Sequence, residues 1–295
     1  MKKWSFVFLI LLVQSSLGWA HSIPKIVVSF SILKDLVENV GGEAVTVTSL
    51  VGPNSDAHVF EPTPESAQLI SEADLILMNG LGFEGWMPRL VESTKTKAKI
   101  VMVSQNIKPR AFMQGVESSP DPHAWNDVQN VMIYIDNIEK ALLELIPQSA
   151  DLIRRNAAHY RQQLTDLEAW IYKELESIPL QQRIVITAHD AFGYFSEAYH
   201  IKFLAPQGLS TESEPSAQEV VNLIKEIKKH GIKVVFIENI TNERLIRHIA
   251  EETGASIGGM LYSDALSEKK QPASTYIDMM KVNIHLLKLG MLNNK

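Results

Sequence analysis

The sequence predicts an α/β protein of two lobes, each a mainly parallel sheet flanked by helices, joined by one long rigid helix. Three observations carry this expectation. Short β-branched runs alternate with helical stretches over residues 26–103, the pattern of strands linked by helical crossovers. The same alternation returns over residues 184–289. Between them lies one unbroken amphipathic stretch bracketed by Pro147 and Pro179.

In the first half, Ile26-Val27-Val28-Ser29 reads as a strand, and Leu33 to Val40 as a helix stopped by Gly41-Gly42. Val45 to Val51 is a strand, Pro64 to Ser71 a helix, and Leu75-Ile76-Leu77-Met78 a strand. Gly85 to Glu92 is helical and Ile100 to Val103 a strand. From about Ser149 to Ser177, Leu152/Ile153, Ala157, Tyr160, Leu164, Leu167, Ile171 and Leu175 recur at steps of three and four. Such a helix would be roughly 45 Å long. A flexible linker would be rich in Gly and Ser, so the joint is expected to be a rod with limited hinge motion. In the second half, Ile184–Thr187, Lys202–Leu204, Val234–Ile237 and Ile257–Leu261 read as strands. Ala191–Tyr199, Ser216–Lys229, Asn242–Glu252 and Thr275–Leu289 read as helices. The expected units are a lobe over 21–146, a backbone helix over 147–178 and a second lobe over 179–295.

Residues 1–20 stand apart. Lys2 and Lys3 precede an apolar run from Trp4 to Val13, and Gly18-Trp19-Ala20 offers small residues for cleavage. This is the composition of a cleavable secretory signal, and the apolar run is short for a membrane span of ~20 residues. The expected product is exported to a periplasm, with no direct membrane insertion. The full sequence has 295 residues and a net charge of -6, and losing two lysines with the leader makes the remainder more acidic. No basic face stands out, so nucleic-acid binding is not expected. There is no cysteine. Disulfides, thiolate metal sites, thiol catalysis and a lipidated cysteine are therefore not expected, and any metal must be held by His, carboxylate or carbonyl groups.

Of nine histidines, six have ordinary surroundings. His21 would begin the mature chain, and His159, His200, His230, His248 and His285 lie in or beside helices among polar neighbours. The other three differ. His58 follows the strand Val45–Val51 through Gly52-Pro53-Asn54-Ser55-Asp56-Ala57. His123 lies in Asp121-Pro122-His123-Ala124-Trp125, a turn before a helix, and His189 directly follows the strand ending at Thr187. Open α/β sheets bind ligands beyond the carboxyl ends of their strands. Asp264 follows the last strand and is the fourth candidate. Three imidazoles and a carboxylate suit a divalent transition metal, Zn²⁺ in a near-tetrahedral shell above all. The long intervals between them match no local metal motif, and three turn histidines occupied with capping are the competing reading.

Enzymatic signatures are missing. There is no His-Glu-x-x-His, no Gly-x-Ser-x-Gly and no Gly-Lys-Ser/Thr loop. Glu212 and Glu214 could form an acid/base pair, but one intervening residue in a Ser/Thr-rich loop suits solvated charge. No catalytic residue is assigned.

The segments Gly52–Pro64, Asn79-Gly80-Leu81-Gly82-Phe83-Glu84-Gly85-Trp86, Asp121–Trp125, Thr187–Phe195 and Ser210–Ser216, taken in this order, resemble the metal-binding solute-binding proteins of zinc/manganese ABC importers, the cluster A-I periplasmic receptors. The resemblance covers essentially the whole mature chain. It implies two α/β lobes on a rigid backbone helix, metal between the lobes, and His58, His123, His189 and Asp264 as its ligands. Manganese-type members usually carry Glu at the third position, so His189 favours Zn²⁺, with Mn²⁺ or dual specificity as the alternative. Arg110–Pro120 lacks the His-rich loop of many zinc receptors. The expected delivery partner is a membrane permease with a cytoplasmic ATPase, and a monomer is the default for a receptor that presents one face. Asp190, Glu238 and Glu61 are candidates to orient the imidazoles. A secreted zinc metallohydrolase is the alternative from another class, but four protein ligands leave no open position for water.

Overall fold

The structure, a computed structural model, describes residues 22–114 and 117–294. The expected leader over 1–20 and His21 lie outside the described residues. The first sheet is built from β1 (Lys25–Val28), β2 (Thr46–Ser49), β3 (Leu75–Met78) and β4 (Lys99–Met102), in the order β2-β1-β3-β4 and parallel throughout. The second is built from β7 (Ile184–Ile186), β8 (Lys202–Leu204), β9 (Val234–Glu238) and β10 (Ser256–Leu261). Its order is β10-β9-β7-β8, again all parallel. Followed in chain order, both sheets have the same topology. The inner strands are continuously apolar because helices cover both faces: every residue of β3 and of β9 is buried. The edge strand β4 is largely exposed.

The helices are α1 (Ser31–Gly41), α2 (Pro64–Glu72), α3 (Met87–Thr94), α4 (Val128–Leu145), α5 (Ala150–Glu176), α6 (Gly193–Tyr199), α7 (Ala217–His230), α8 (Arg244–Thr253) and α9 (Tyr276–Asn293). Two are started by reciprocal capping boxes, Thr63 with Ser66 on α2 and Ser216 with Glu219 on α7. The α3 helix begins two residues later than expected, at Met87, with Pro88 in its first turn. One element was not expected at all. β5 (Ala111–Gln114) and β6 (Glu117–Pro120) form an antiparallel hairpin. Its residues Ser118, Ser119 and Pro120 are exposed and polar or Pro, so β6 carries no hydrophobic alternation to read.

The long helix α5 spans 27 residues, about 40 Å. Its buried side are Ile153, Ala157, Tyr160, Leu164, Leu167, Ile171 and Leu175, the apolar positions of the sequence pattern. It packs against α1 and α4 on one side and α9 on the other. One continuous cluster of buried side chains runs through both lobes, from Ile26 and Leu77 through Trp125 and Leu164 to Phe236 and Tyr276. Among the described residues no helix is long and apolar enough to cross a membrane.

Asp35 sits where α1, α5 and α9 meet. Its Oδ2 accepts the backbone N–H of Tyr276 at 2.9 Å and faces the Tyr160 hydroxyl at 3.5 Å. Burial pushes the carboxyl up to about 6, against hydrogen bonds that pull it down. Between the unfolded and folded values the folded chain holds the extra proton. This joint therefore contributes stability that is complete below the unfolded value of 3.8 and lost as pH rises through about 6. The difference is worth up to about 3 kcal/mol. Urea unfolding of the metal-free protein should show the wild type gaining stability relative to Asp35→Asn as pH falls from about 7 to 5; parallel profiles would refute the assignment.

Candidate metal centre

Each candidate ligand lies on a segment that leaves the carboxyl end of a strand or hairpin. Beyond β2, Asn54 adopts a left-handed conformation, φ 51°, which turns the chain. Asp56 Oδ1 then accepts the backbone N–H of His58 at 2.9 Å. Trp86 Nε1 donates to the carbonyl of Ala57 at 2.8 Å and holds the loop against its own lobe.

His123 is set by Asp121. One carboxylate oxygen accepts the His123 backbone N–H at 3.0 Å and faces the ring Nδ1 at 2.8 Å. Arg110 donates to the other oxygen at 3.0 Å. Asn79 carries the turn from behind: its amide donates to the Pro122 carbonyl at 2.9 Å, and Tyr134 donates to its oxygen. Glu84 in turn accepts from the Ser29 hydroxyl and the Asn79 backbone N–H, both at 2.6 Å, and from Gly80 N–H at 3.0 Å. Gly193, at the start of α6, lies so close that an added Cβ would meet Asp121 Oδ2 at 2.4 Å.

His189 is set by Glu238 at the end of β9. The carboxylate faces Nδ1 at 2.6 Å with one oxygen, and accepts the backbone N–H groups of Ala188 and His189 at 2.6 and 3.0 Å with the other. Asp264 is positioned by its neighbour: Trp125 Nε1 donates to the Ser263 carbonyl at 2.8 Å. Phe30, Phe83 and Trp125 form an aromatic floor with ring centres 4.8–5.0 Å apart. Phe83 meets His58 edge-on at 4.7 Å.

These scaffolds bring the four candidates together. His58, His123, His189 and Asp264 each offer one ligand atom, and the four atoms lie within 4.8 Å of one another. His58 Nε2 is 3.2 Å from His123 Nε2 and 3.2 Å from Asp264 Oδ2. His189 Nε2 is 3.2 Å and His123 Nε2 3.7 Å from the Asp264 carboxylate. Ligands about 2.0–2.1 Å from a tetrahedral zinc stand about 3.3 Å from one another, which the three 3.2 Å separations approach while the widest separation is looser. His123, His189 and Asp264 are fully buried, and the His58 side chain is 5% exposed. His189 Nε2 and both Asp264 oxygens are buried without an aligned hydrogen-bond partner. Buried polar atoms are normally partnered. Outer carboxylates occupy Nδ1 of His123 and His189, which leaves Nε2 of each to face the shared centre.

The electrostatics follow from this geometry. Burial pulls His189 down, but the charges of Glu238 and Asp264 outweigh it and hold the imidazole well above its ordinary value. Burial alone would raise Asp264, yet His189 and His123 hold it well below the usual carboxylate range. Glu238 is likewise lowered, because His189 outweighs its burial. His58 has no outer carboxylate to offset burial, which lowers it despite Asp264. The buried carboxylates and the imidazoles thus each favour the charged form of the other.

The orienting residues divide. Glu238 takes that place at His189, whereas Glu61 is exposed. Asp190 donates its backbone N–H to Gly208 and lies near Arg110 and Asp121, its carboxyl raised by burial and then by Asp121. Asp121 was missed, although an acid two residues before a turn histidine is a local signal for a carboxylate bond back to that residue. His159, His200, His230, His248 and His285 are exposed, as are Glu212 and Glu214.

The chain is 36% identical over 267 residues to the manganese-binding lipoprotein MntA of Halalkalibacterium halodurans, covering 90% of this chain and 88% of that one. It is 30% identical to the metal ABC transporter substrate-binding lipoprotein SloC of Streptococcus mutans, covering 99% of each. Among solved structures it is similar to the periplasmic zinc binding protein TroA from Treponema pallidum, with a TM-score of 0.87 at 29% identity over 92% of this chain and 99% of that one. Residues 26–290 match the family described as ZnuA, zinc-uptake complex component A, periplasmic. The chain belongs to this family of metal-binding receptors of ABC importers, which are transport components and not enzymes.

Proposed function

We propose that this protein captures a divalent transition metal, Zn²⁺ in the first place, with His58, His123, His189 and Asp264, and delivers it to the membrane permease of an ABC importer driven by a cytoplasmic ATPase. The observation that carries the reading is the convergence of three imidazole Nε2 atoms and one carboxylate within 4.8 Å. The ion is cargo, held in a closed shell of protein ligands with no catalytic water. Nitrogen-rich shells favour zinc, whereas manganese suits carboxylate, carbonyl and water ligands. A manganese or dual-metal receptor is the second reading, favoured by the manganese-binding name of the relative at 36% identity.

The proposed units are an N-terminal lobe over 21–146, the backbone helix over 147–178 and a C-terminal lobe over 179–295. Each lobe supplies two ligands. The composition of residues 1–20 supports export to the periplasm, and presenting one metal site to one permease suits a monomer.

Elemental mass spectrometry on the natively purified exported chain should find about one zinc per chain. Substituting His189→Glu should weaken zinc retention while leaving the fold intact. Manganese in the native protein would transfer it to the second reading. No metal in either, even after loading, would remove the site.

Acid should weaken binding. The imidazoles bind metal only when neutral, and Glu238 and Asp264 favour the protonated form of His189. Lowering pH therefore increases the number of protons the ion must displace. Chelator-competition titrations should show affinity falling steadily as pH drops from about 7 to 5. A flat profile would contradict a shell rich in histidine.

A further inference from the structure

His58 is the one ligand without an outer carboxylate on its ring among the contacts described, and the most exposed of the four. Its loop belongs by sequence to the first lobe, where Trp86 holds it, yet several further ties cross to the second. Asn54 N–H donates to the Leu266 carbonyl at 2.9 Å. The Asn239 amide donates both to Asn54 Oδ1 and to the Ala265 carbonyl beside Asp264, each at 3.0 Å. Thr211 Oγ1 donates to Asp56 Oδ2 at 2.5 Å. Asp56 therefore has two tasks: one oxygen caps the backbone of His58, and the other is gripped from across the cleft.

The repeated topology places Thr211 there. His58 and Thr211 each stand five residues before the N-cap of a helix opened by a capping box, Thr63 on α2 and Ser216 on α7. Each lies on the loop between the second strand of its sheet and the next helix. Where the first lobe supplies a ligand, the second supplies a hydroxyl that holds the ligand's loop.

We propose that Asp56 is a positioning residue and Thr211–Asp56 an interlobe latch: closing it fixes His58 on the ion, and its opening controls how fast the ion leaves. This rests on the metal reading above. Breaking the latch frees the exposed end of the shell first, while His123, His189 and Asp264 keep their buried supports. The prediction is kinetic. Asp121 and Glu238 set which atoms face the ion; Thr211 sets how long the fourth stays.

The test is stopped-flow release of zinc from the loaded full-length exported protein into excess chelator. Thr211→Val should release zinc about tenfold faster than wild type, the effect of losing one charge-assisted hydrogen bond. Thr211→Ser should restore the wild-type rate. Asp56→Ala, which also removes the backbone cap, should be at least as fast as Thr211→Val. Metal-free Thr211→Val should keep the wild-type far-UV circular dichroism spectrum and a cooperative unfolding transition, which separates a latch from a general loss of structure. Zinc binding by wild type with unaltered release in Thr211→Val would overturn the latch and leave the metal assignment standing. Failure of wild type to take up zinc would overturn both.

Discussion

Three imidazole nitrogens and a carboxylate share one small volume from which water is almost excluded, and two further carboxylates press on them from behind. Charge of this density is costly to bury unless a cation compensates it. The outer carboxylates do two things at once. They fix which ring nitrogen faces the centre, and they raise the local demand for positive charge. A protonated His189 can meet part of that demand, and a divalent ion held as proposed would meet it through all four groups. The surrounding architecture holds these groups together around one point.

The fold meets that requirement by placing each ligand at the end of a different rigid element. Parallel strands release their chains at one rim, where loops can converge without disturbing the buried inner strands. The long helix α5 and the shared apolar cluster keep the two rims in register. The first lobe is stiffened behind His123 by Asn79, Glu84 and Tyr134, the second behind His189 by Glu238 at the end of β9. Buried supports of this kind fix the orientation of His123 and His189. His58 rests on a loop bound to both lobes, through Trp86 on one side and Thr211 on the other.

Much of this was legible in the residues. The inner strand Leu75–Met78 was readable to its limits because both faces are buried and four apolar residues run together. The seven buried positions of α5 were readable because one face repeats at helical spacing. His58, His189 and Asp264 stood out because each follows a strand. What was not legible depends on partners distant in the chain. Asp35 looks like an ordinary polar residue on α1 until Tyr276, 241 residues away, seats α9 on it. Likewise, Thr211 meets Asp56 across 155 residues, and no local pattern announces that contact. The strand Glu117–Pro120 offers only Glu, Ser and Pro, which leaves no hydrophobic pattern.

The proposed site holds one ion with three imidazoles and one carboxylate drawn from both lobes. Zinc K-edge X-ray absorption on the zinc-loaded protein tests it most directly. The spectrum should give four nitrogen and oxygen neighbours at about 2.0 Å, with multiple scattering from three imidazole rings. An oxygen-dominated shell with one imidazole or none would contradict the account.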